Sequence, residues 1–291
     1  MKRGRETTNF FIFVLPALAL FAIFVFYPTI SSFYISLHKW NGFSPMRFVA
    51  LSNYLKLLHD PLFLNALKNT LIWMVLYTCL TTGLGLTIAV LLEENLWYAS
   101  LVKSIVFLPM VISYVAGGII WAFIYDPDFG VLNAFLRFIK LSSLAQPWLG
   151  NPKTALYSII IAGTWMWSGF SMIIISAGLK SIPPQITEAA KIDGANGWQL
   201  FWHVTLPLLI PPLMVVVITT GINSLKVFDI VFTMTEGGPF YSSEVIAHFM
   251  YMETFYHSKM GYGSAIAVML FLIVIIASIP YLKRMAKGVS A

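Results

Sequence analysis

The chain alternates between long apolar windows and short polar connections. No Asp, Glu, Lys, Arg or His occurs in residues 10–37, 70–92, 104–125, 154–179, 204–225 or 260–282. Each window reaches the roughly 20 apolar residues that a helix needs to cross a bilayer core. None shows the alternation of a strand, and a helix satisfies its own backbone in lipid. The pattern predicts an all-α membrane protein with six transmembrane helices. The spans fall at about 10–37, 70–92, 104–125, 154–179, 207–229 and 260–282, within one domain covering 1–291.

The connections differ in length and content. Residues 38–69, 126–153 and 226–259 are long and rich in turn formers such as Asn41-Gly42, Asp60-Pro61 and Gly237-Gly238-Pro239. On the opposite side, residues 93–103 form a short link and residues 180–206 a longer one. Pro109, Gly117-Gly118 and Pro211-Pro212 lie inside or near the start of spans. Such breakers serve either close helix packing or a pathway through the bundle.

Charge adds orientation. Lys2, Arg3 and Arg5 precede the first span, and Lys283, Arg284 and Lys287 follow the last. This is the positive-inside pattern, so both termini are expected in the cytoplasm, as an even span count requires. The outer connections nevertheless hold Lys39, Arg47, Lys56, Lys68, Arg137, Lys140, Lys153 and Lys259, nearly as many basic residues as the inner side offers. The first window exceeds a 7–15-residue signal core and contains Pro16 and Pro28, which argues for a retained span. A net charge of +6 in a chain that is 58% hydrophobic and 10% charged reflects these membrane flanks and predicts no nucleic-acid partner.

Catalytic chemistry finds no foothold. Zinc-protease, serine-hydrolase and phosphate-loop patterns are all absent from the sequence. His38, His59, His203, His248 and His257 are scattered without ligand spacing. The single cysteine, Cys79, permits no intrachain disulfide. No catalytic residue, metal site or cofactor is therefore assigned, and any ATP-driven step requires another subunit. The apolar cores also lack the carboxylate or histidine relays of proton-coupled carriers. The nearest charges, Lys226 and Asp229, would face alike on a helical end of span 5.

The connection "KSIPPQITEAAKIDGANGWQLFWHVTLP" has the most structured polar pattern. Ser181 is an expected N-cap, with Pro183 and Pro184 in the first turn. Ile186, Ala189, Ala190 and Ile192 form a small apolar arc opposite Thr187, Glu188 and Lys191. Gly194 supplies a helix stop, Asn196-Gly197 a turn, and a second short helix leads into Leu206-Pro207. The weak amphipathicity and sparse basic face suit a docking helix better than one lying in the lipid interface.

Those residues carry a resemblance. "EAAKIDGANGWQLFWHVTLP" resembles the EAA motif of ABC-importer permease subunits, matching at Glu188, Ala189, Ala190, Asp193, Gly194, Leu206 and Pro207, with Val204 where isoleucine is usual. "FVLPALALFAIFVFYPTISSFYISL", "IVFLPMVISYVAGGIIWAFIYDPDFGVLN", "LKVFDIVFTMTEGGPFYSSE" and "MGYGSAIAVMLFLIV" extend the likeness to the carbohydrate-uptake branch, without the large outer insertion of the maltose permease. The resemblance implies a type I importer permease fold, with loop 180–206 as a cytoplasmic coupling helix. It implies a heterodimer with a second, non-identical permease, and two copies of a cytoplasmic ATPase that hold ATP and magnesium. It also implies an extracytoplasmic solute-binding protein that meets Gly237, Gly238 and Pro239, and a sugar or polyol as cargo. Flat aromatics with a few polar groups suit a sugar, which directs attention to Trp165, Trp167, Ser168, Thr219, Thr220 and, above all, Asn223. Interfacial anchoring for the tryptophans and an interhelical hydrogen bond for Asn223 are the competing roles. A carrier or channel acting without an ATPase, or a membrane scaffold or receptor, remains the alternative function.

Overall fold

The structure is a computed structural model that describes residues 14–93 and 97–288, with side chains as far as 279. Lys2, Arg3 and Arg5, the start of the first window and the side chains of Lys283, Arg284 and Lys287 lie outside the described residues. Four helices are long and apolar enough to cross a bilayer: α1 (Val14–Ser36), α3 (Pro61–Leu91), α7 (Ala155–Lys180) and α13, of which Met260–Ile279 is the apolar part. Two further windows form bent pairs, α4 (Ala99–Val111) with α5 (Tyr114–Ile124), and α9 (Gly197–Leu208) with α10 (Ile210–Ser224). Counting each pair as one span gives six.

The breaks follow from local chemistry. Pro109 has no N–H to donate to the preceding turn, which weakens the end of α4. The chain turns extended at Ile112, and Ser113 restarts the helix by accepting the Ala116 N–H at 3.2 Å. The resulting bend of 105° falls near the Pro109 breaker expected inside the span at 104–125. Likewise, Pro211 and Pro212 occupy the first turn of α10, where missing donors are tolerated, and α9 meets α10 at 65°. Helix α10 also ends at Ser224, so Lys226 and Asp229 do not share a helical face, and they form no ion pair.

The described chain divides into two compact units. The first comprises residues up to Pro61 together with Met250–Ile273. In it, α1 leads to a ribbon of β1 (His38–Lys39) and β2 (Arg47–Phe48), then to α2 (Ser52–His59). Asn53 ties the ribbon to α1 by donating to the Ser36 and His38 carbonyls at 2.7 and 3.0 Å. Tyr262 donates to Asp60 Oδ2 at 2.7 Å. The second unit comprises Leu62–Phe249 and the chain from Val274. There α4 packs closely along α7, and α5 along α11 (Asp229–Met234). The closeness depends on small residues: a Cβ at Gly169 would stand 2.6 Å from the Val106 carbonyl oxygen, and one at Gly118 would stand 3.1 Å from Thr233. Gly117 abuts Met166 in the same way. The glycines of the third window thus serve packing.

The outer connections are more ordered than turn formers alone suggest. Residues 126–153 hold α6 (Val131–Phe138), fastened by buried Asn133. Its amide donates to the Gln146 carbonyl at 3.0 Å and accepts the Trp148 indole N–H at 2.8 Å. Residues 226–259 contain α11 and α12 (Ile246–Tyr251), with residues 243–249 buried.

Candidate functional site

The polar connection between α7 and α10 projects as two short helices. Helix α8 (Pro184–Ile192) begins after Pro183, which occupies the N-cap position. Ser181 serves the other side of the junction: its hydroxyl donates to the Gly178 carbonyl at 2.7 Å and closes α7. The expected cap is thus reassigned, because the Gly178 carbonyl in the last turn of α7 accepts both the backbone N–H and the hydroxyl of Ser181. Gly194 has φ +87°, a left-handed conformation that a side chain disfavours, although a Cβ there would meet nothing within 4 Å. The turn, not crowding, requires glycine. Asn196 then caps α9 in a reciprocal box, accepting the Gln199 N–H at 2.9 Å while Gln199 accepts the Asn196 N–H at 3.0 Å.

This projection is open to solvent. Glu188, Ala189, Asp193, Gly194 and Pro207 are exposed, whereas Ala190 and Leu206 are half-buried. Ile192 and Trp198 stand out at 86% and 71% exposure. A groove of about 370 Å³ lies in the angle between α8 and α9, lined by Asp193, Gly194, Gln199 and His203. Small residues on one arc and a fixed bend leave room for another surface to approach.

A separate cavity of about 240 Å³ opens in the second unit. Its walls include two stacked aromatic pairs, Trp73 with Tyr77 (centroids 5.7 Å) and Tyr114 with Trp167 (6.4 Å). The Tyr77 and Tyr114 hydroxyls lie 3.4 Å apart. Asn223, Lys226 and Asp229 complete the rim. Asn223 is exposed there, and its side-chain amide has no hydrogen-bond partner among the described residues.

The remaining pathway candidates sit elsewhere. Trp165 and Ser168 line a second, mostly aliphatic cavity of about 400 Å³ with Leu80, Leu84 and Trp121. Positions 165 and 167 diverge by about 200° around a helix, so adjacent candidates reach different cavities. Thr220 is buried and bonds back to the Val216 carbonyl at 2.8 Å; Thr219 is half-buried and lines neither cavity. Sequence reasoning passed over Trp73, Tyr77 and Tyr114. The signal was present as an i, i+4 aromatic pair in span 2 and a tyrosine directly after a capped break.

Gly237, Gly238 and Pro239 belong to a tightly folded turn. Gly237 is buried with φ +77°, and its α-carbon faces the Glu244 carboxylate. Ser243 donates to the Gly238 carbonyl at 2.6 Å, while Gly238 and Pro239 are half-buried. The most exposed side chain of the turn is Phe240. Among the described residues, no three His, Cys, Asp or Glu side chains gather closely enough to hold a metal ion.

Straight and broken apolar helices of membrane-spanning length, with an exposed two-helix projection, define an integral membrane protein. The chain belongs to the family of binding-protein-dependent transport system inner membrane components, whose model matches residues 81–285. It is a permease subunit of an ABC importer; ATP hydrolysis resides in a separate subunit. It is 39% identical over 99% of both chains to a probable ABC transporter permease protein of Pyrococcus horikoshii. It is 34% identical to the trehalose/maltose transport system permease protein MalF of Thermococcus litoralis, over 96% of this chain and 94% of that one. Among solved structures, a bacterial ABC transporter involved in the import of the acidic polysaccharide alginate matches with a TM-score of 0.85. The match covers 100% of this chain and 99% of that one at 22% identity, which bears on fold alone.

Proposed function

We propose that this permease carries a neutral sugar, oligosaccharide or related polyol inward, and that the aromatic cavity beside Asn223 contacts one ring of the cargo. The observation that carries this is the pairing of flat, stacked aromatic walls with an amide that has no protein partner. Sugar rings present apolar faces to aromatics and hydroxyl edges to amides. At about 240 Å³ the cavity falls below the roughly 300–1,000 Å³ of pockets that enclose a drug-sized ligand, so it suits a single ring at a time. The carbohydrate-related name of the Thermococcus relative is in keeping with this reading.

The working assembly in this proposal pairs the chain with a second, non-identical permease. Of two copies of a cytoplasmic ATPase, holding ATP and magnesium, one docks on Glu188–Gly194. An extracytoplasmic binding protein delivers cargo near the Gly237–Pro239 turn. Both termini and loop 180–206 then lie in the cytoplasm. ATPase closure pushes on α8, whose ends are joined to α7 and, through α9, to α10, so docking and bundle conformation are linked. Uptake into proteoliposomes carrying the full complex tests the proposal. Neutral oligosaccharides should compete for uptake, whereas amino acids should not. Transport of a non-carbohydrate solute without sugar competition overturns it.

A further inference from the structure

Besides Lys226, eight basic residues fall on the outer connections, against the positive-inside tendency, and the transport reading uses none of them. Four of them converge within the first unit. The ribbon register sets Lys39 directly opposite Arg47, a like-charge pair that destabilises an antiparallel ribbon. Beside it lies a cavity of about 390 Å³ lined by Lys39, Lys56, Lys259, Trp40, Ser52 and Tyr262. Lys56 Nζ stands 4.5 Å from the centroid of the Tyr262 ring, which holds the ammonium group at the cavity wall. Lys259 is paired with Glu253 at 2.9 Å, a carboxylate that His257 also contacts at 3.0 Å. Lys39, Arg47 and Lys56 have no carboxylate partner among the described residues. Repelling cations around a concavity are stabilised by an anion placed within it.

The surroundings indicate where that anion comes from. Phe43 is 90% exposed and Phe48 65% exposed, both on the ribbon segment that carries the charges. Leu51, Leu55 and Leu58 form an exposed apolar stripe along α2, with Lys56 on another face. In water such a surface is unfavourable, whereas at a bilayer interface it is buried among acyl chains. Trp40 and Tyr262 are residue types that settle at headgroup level. A soluble anion would explain the lysines but not this apolar surround.

We infer that the pocket binds the phosphate of an anionic phospholipid headgroup, with Lys39 and Lys56 supplying the charge. The bilayer itself follows from the family, but assignment to the outer leaflet rests on the cytoplasmic placement of loop 180–206 proposed above. Binding here anchors the ribbon and α2 at the membrane surface.

The test titrates the full chain in detergent with phosphatidylglycerol or phosphatidylcholine and counts bound lipids by native mass spectrometry. Phosphatidylglycerol should bind in preference. The double variant Lys39→Gln/Lys56→Gln should weaken it about thirtyfold, given the contribution of each basic residue near an anionic surface. Lys39→Arg/Lys56→Arg should preserve binding, which separates lost charge from lost folding. Lys68→Gln/Lys153→Gln removes the same charge outside the pocket and should leave binding unchanged. Equal binding of the two lipids, or equal loss in both glutamine double variants, overturns the pocket. Displacement of phosphatidylglycerol by millimolar inorganic phosphate identifies a free anion as occupant and overturns the lipid assignment. Neither sidedness nor a transport partner enters this measurement, so its failure and that of the sugar reading are distinguishable.

Discussion

The Glu244 carboxylate meets Nδ1 of His248 at 2.6 Å, and both side chains are almost wholly buried. They stand four residues apart, Glu244 just before α12 and His248 within it, and Phe228 and Phe232 flank the imidazole at 6.0 and 5.9 Å. The pair lies beneath the Gly237 turn. The backbone around it is pinned to α3 as Asn69 donates to the Glu244 carbonyl at 2.9 Å. A polar contact therefore organises the segment expected to meet a binding protein. Replacing Glu244 by Ala leaves a buried imidazole nitrogen without its partner, a cost of about 1–3 kcal/mol. The expected result is a lower melting temperature for the detergent-purified chain. Unchanged melting would show that the contact is not needed for stability.

Gly194→Val is expected to act on coupling and leave folding intact. Its left-handed φ of +87° makes a β-branched side chain unfavourable by about 1–2 kcal/mol, yet no neighbour is crowded. The angle between α8 and α9 should shift, lowering ATP-driven uptake and co-purification of the ATPase while melting stays close to that of the parent. Retention of both uptake and ATPase association contradicts the coupling role.

Asn223→Ala removes an exposed amide that supports no internal contact, so stability should hold. Loss of a net hydrogen bond to cargo, worth about 0.5–1.5 kcal/mol, predicts up to about a tenfold fall in uptake at low cargo concentration. Measuring uptake beside ATPase activity separates this from a coupling defect. Undiminished uptake removes Asn223 from the pathway.

Gly169→Leu tests the close approach of α4 to α7. Because even a Cβ would stand 2.6 Å from the Val106 carbonyl oxygen, the helices must separate. Overpacking of this kind costs about 1–3 kcal/mol. Reduced melting temperature and reduced yield of folded chain are expected, whereas Gly83→Ala, with nothing within 4 Å of its Cβ position, should be neutral.

Much of the fold was legible because transfer of a charge into lipid is costly wherever it occurs. That cost is local, so charge-free windows located α1, α3, α7 and α13 without knowledge of any contact. The positions of Gly194 and the Asn196-Gly197 signal were legible for a similar reason, since backbone strain and capping act within a few residues. Ser181 was misread because two helix ends competed for one hydroxyl, and α7 received it. The breaker Pro109 was legible in the third span, but the depth of the bend was not, because Pro109 and Ser113 act together to end one helix and start another.

The chain alone thus determined its solvent, its helical class, its exposed polar projection and the residues that bend it. The tertiary structure decided which of those residues meet. Trp167 faces Tyr114 and Asn223 while Trp165 faces Leu80 and Trp121, because helix rotation divides neighbours in sequence between different cavities. Lys39 and Lys56 come to share a cavity with Lys259 through packing of segments far apart along the chain. Hydropathy is a sum over single residues, whereas a site is a relation between residues, fixed only when close-packed helices leave one arrangement that fits.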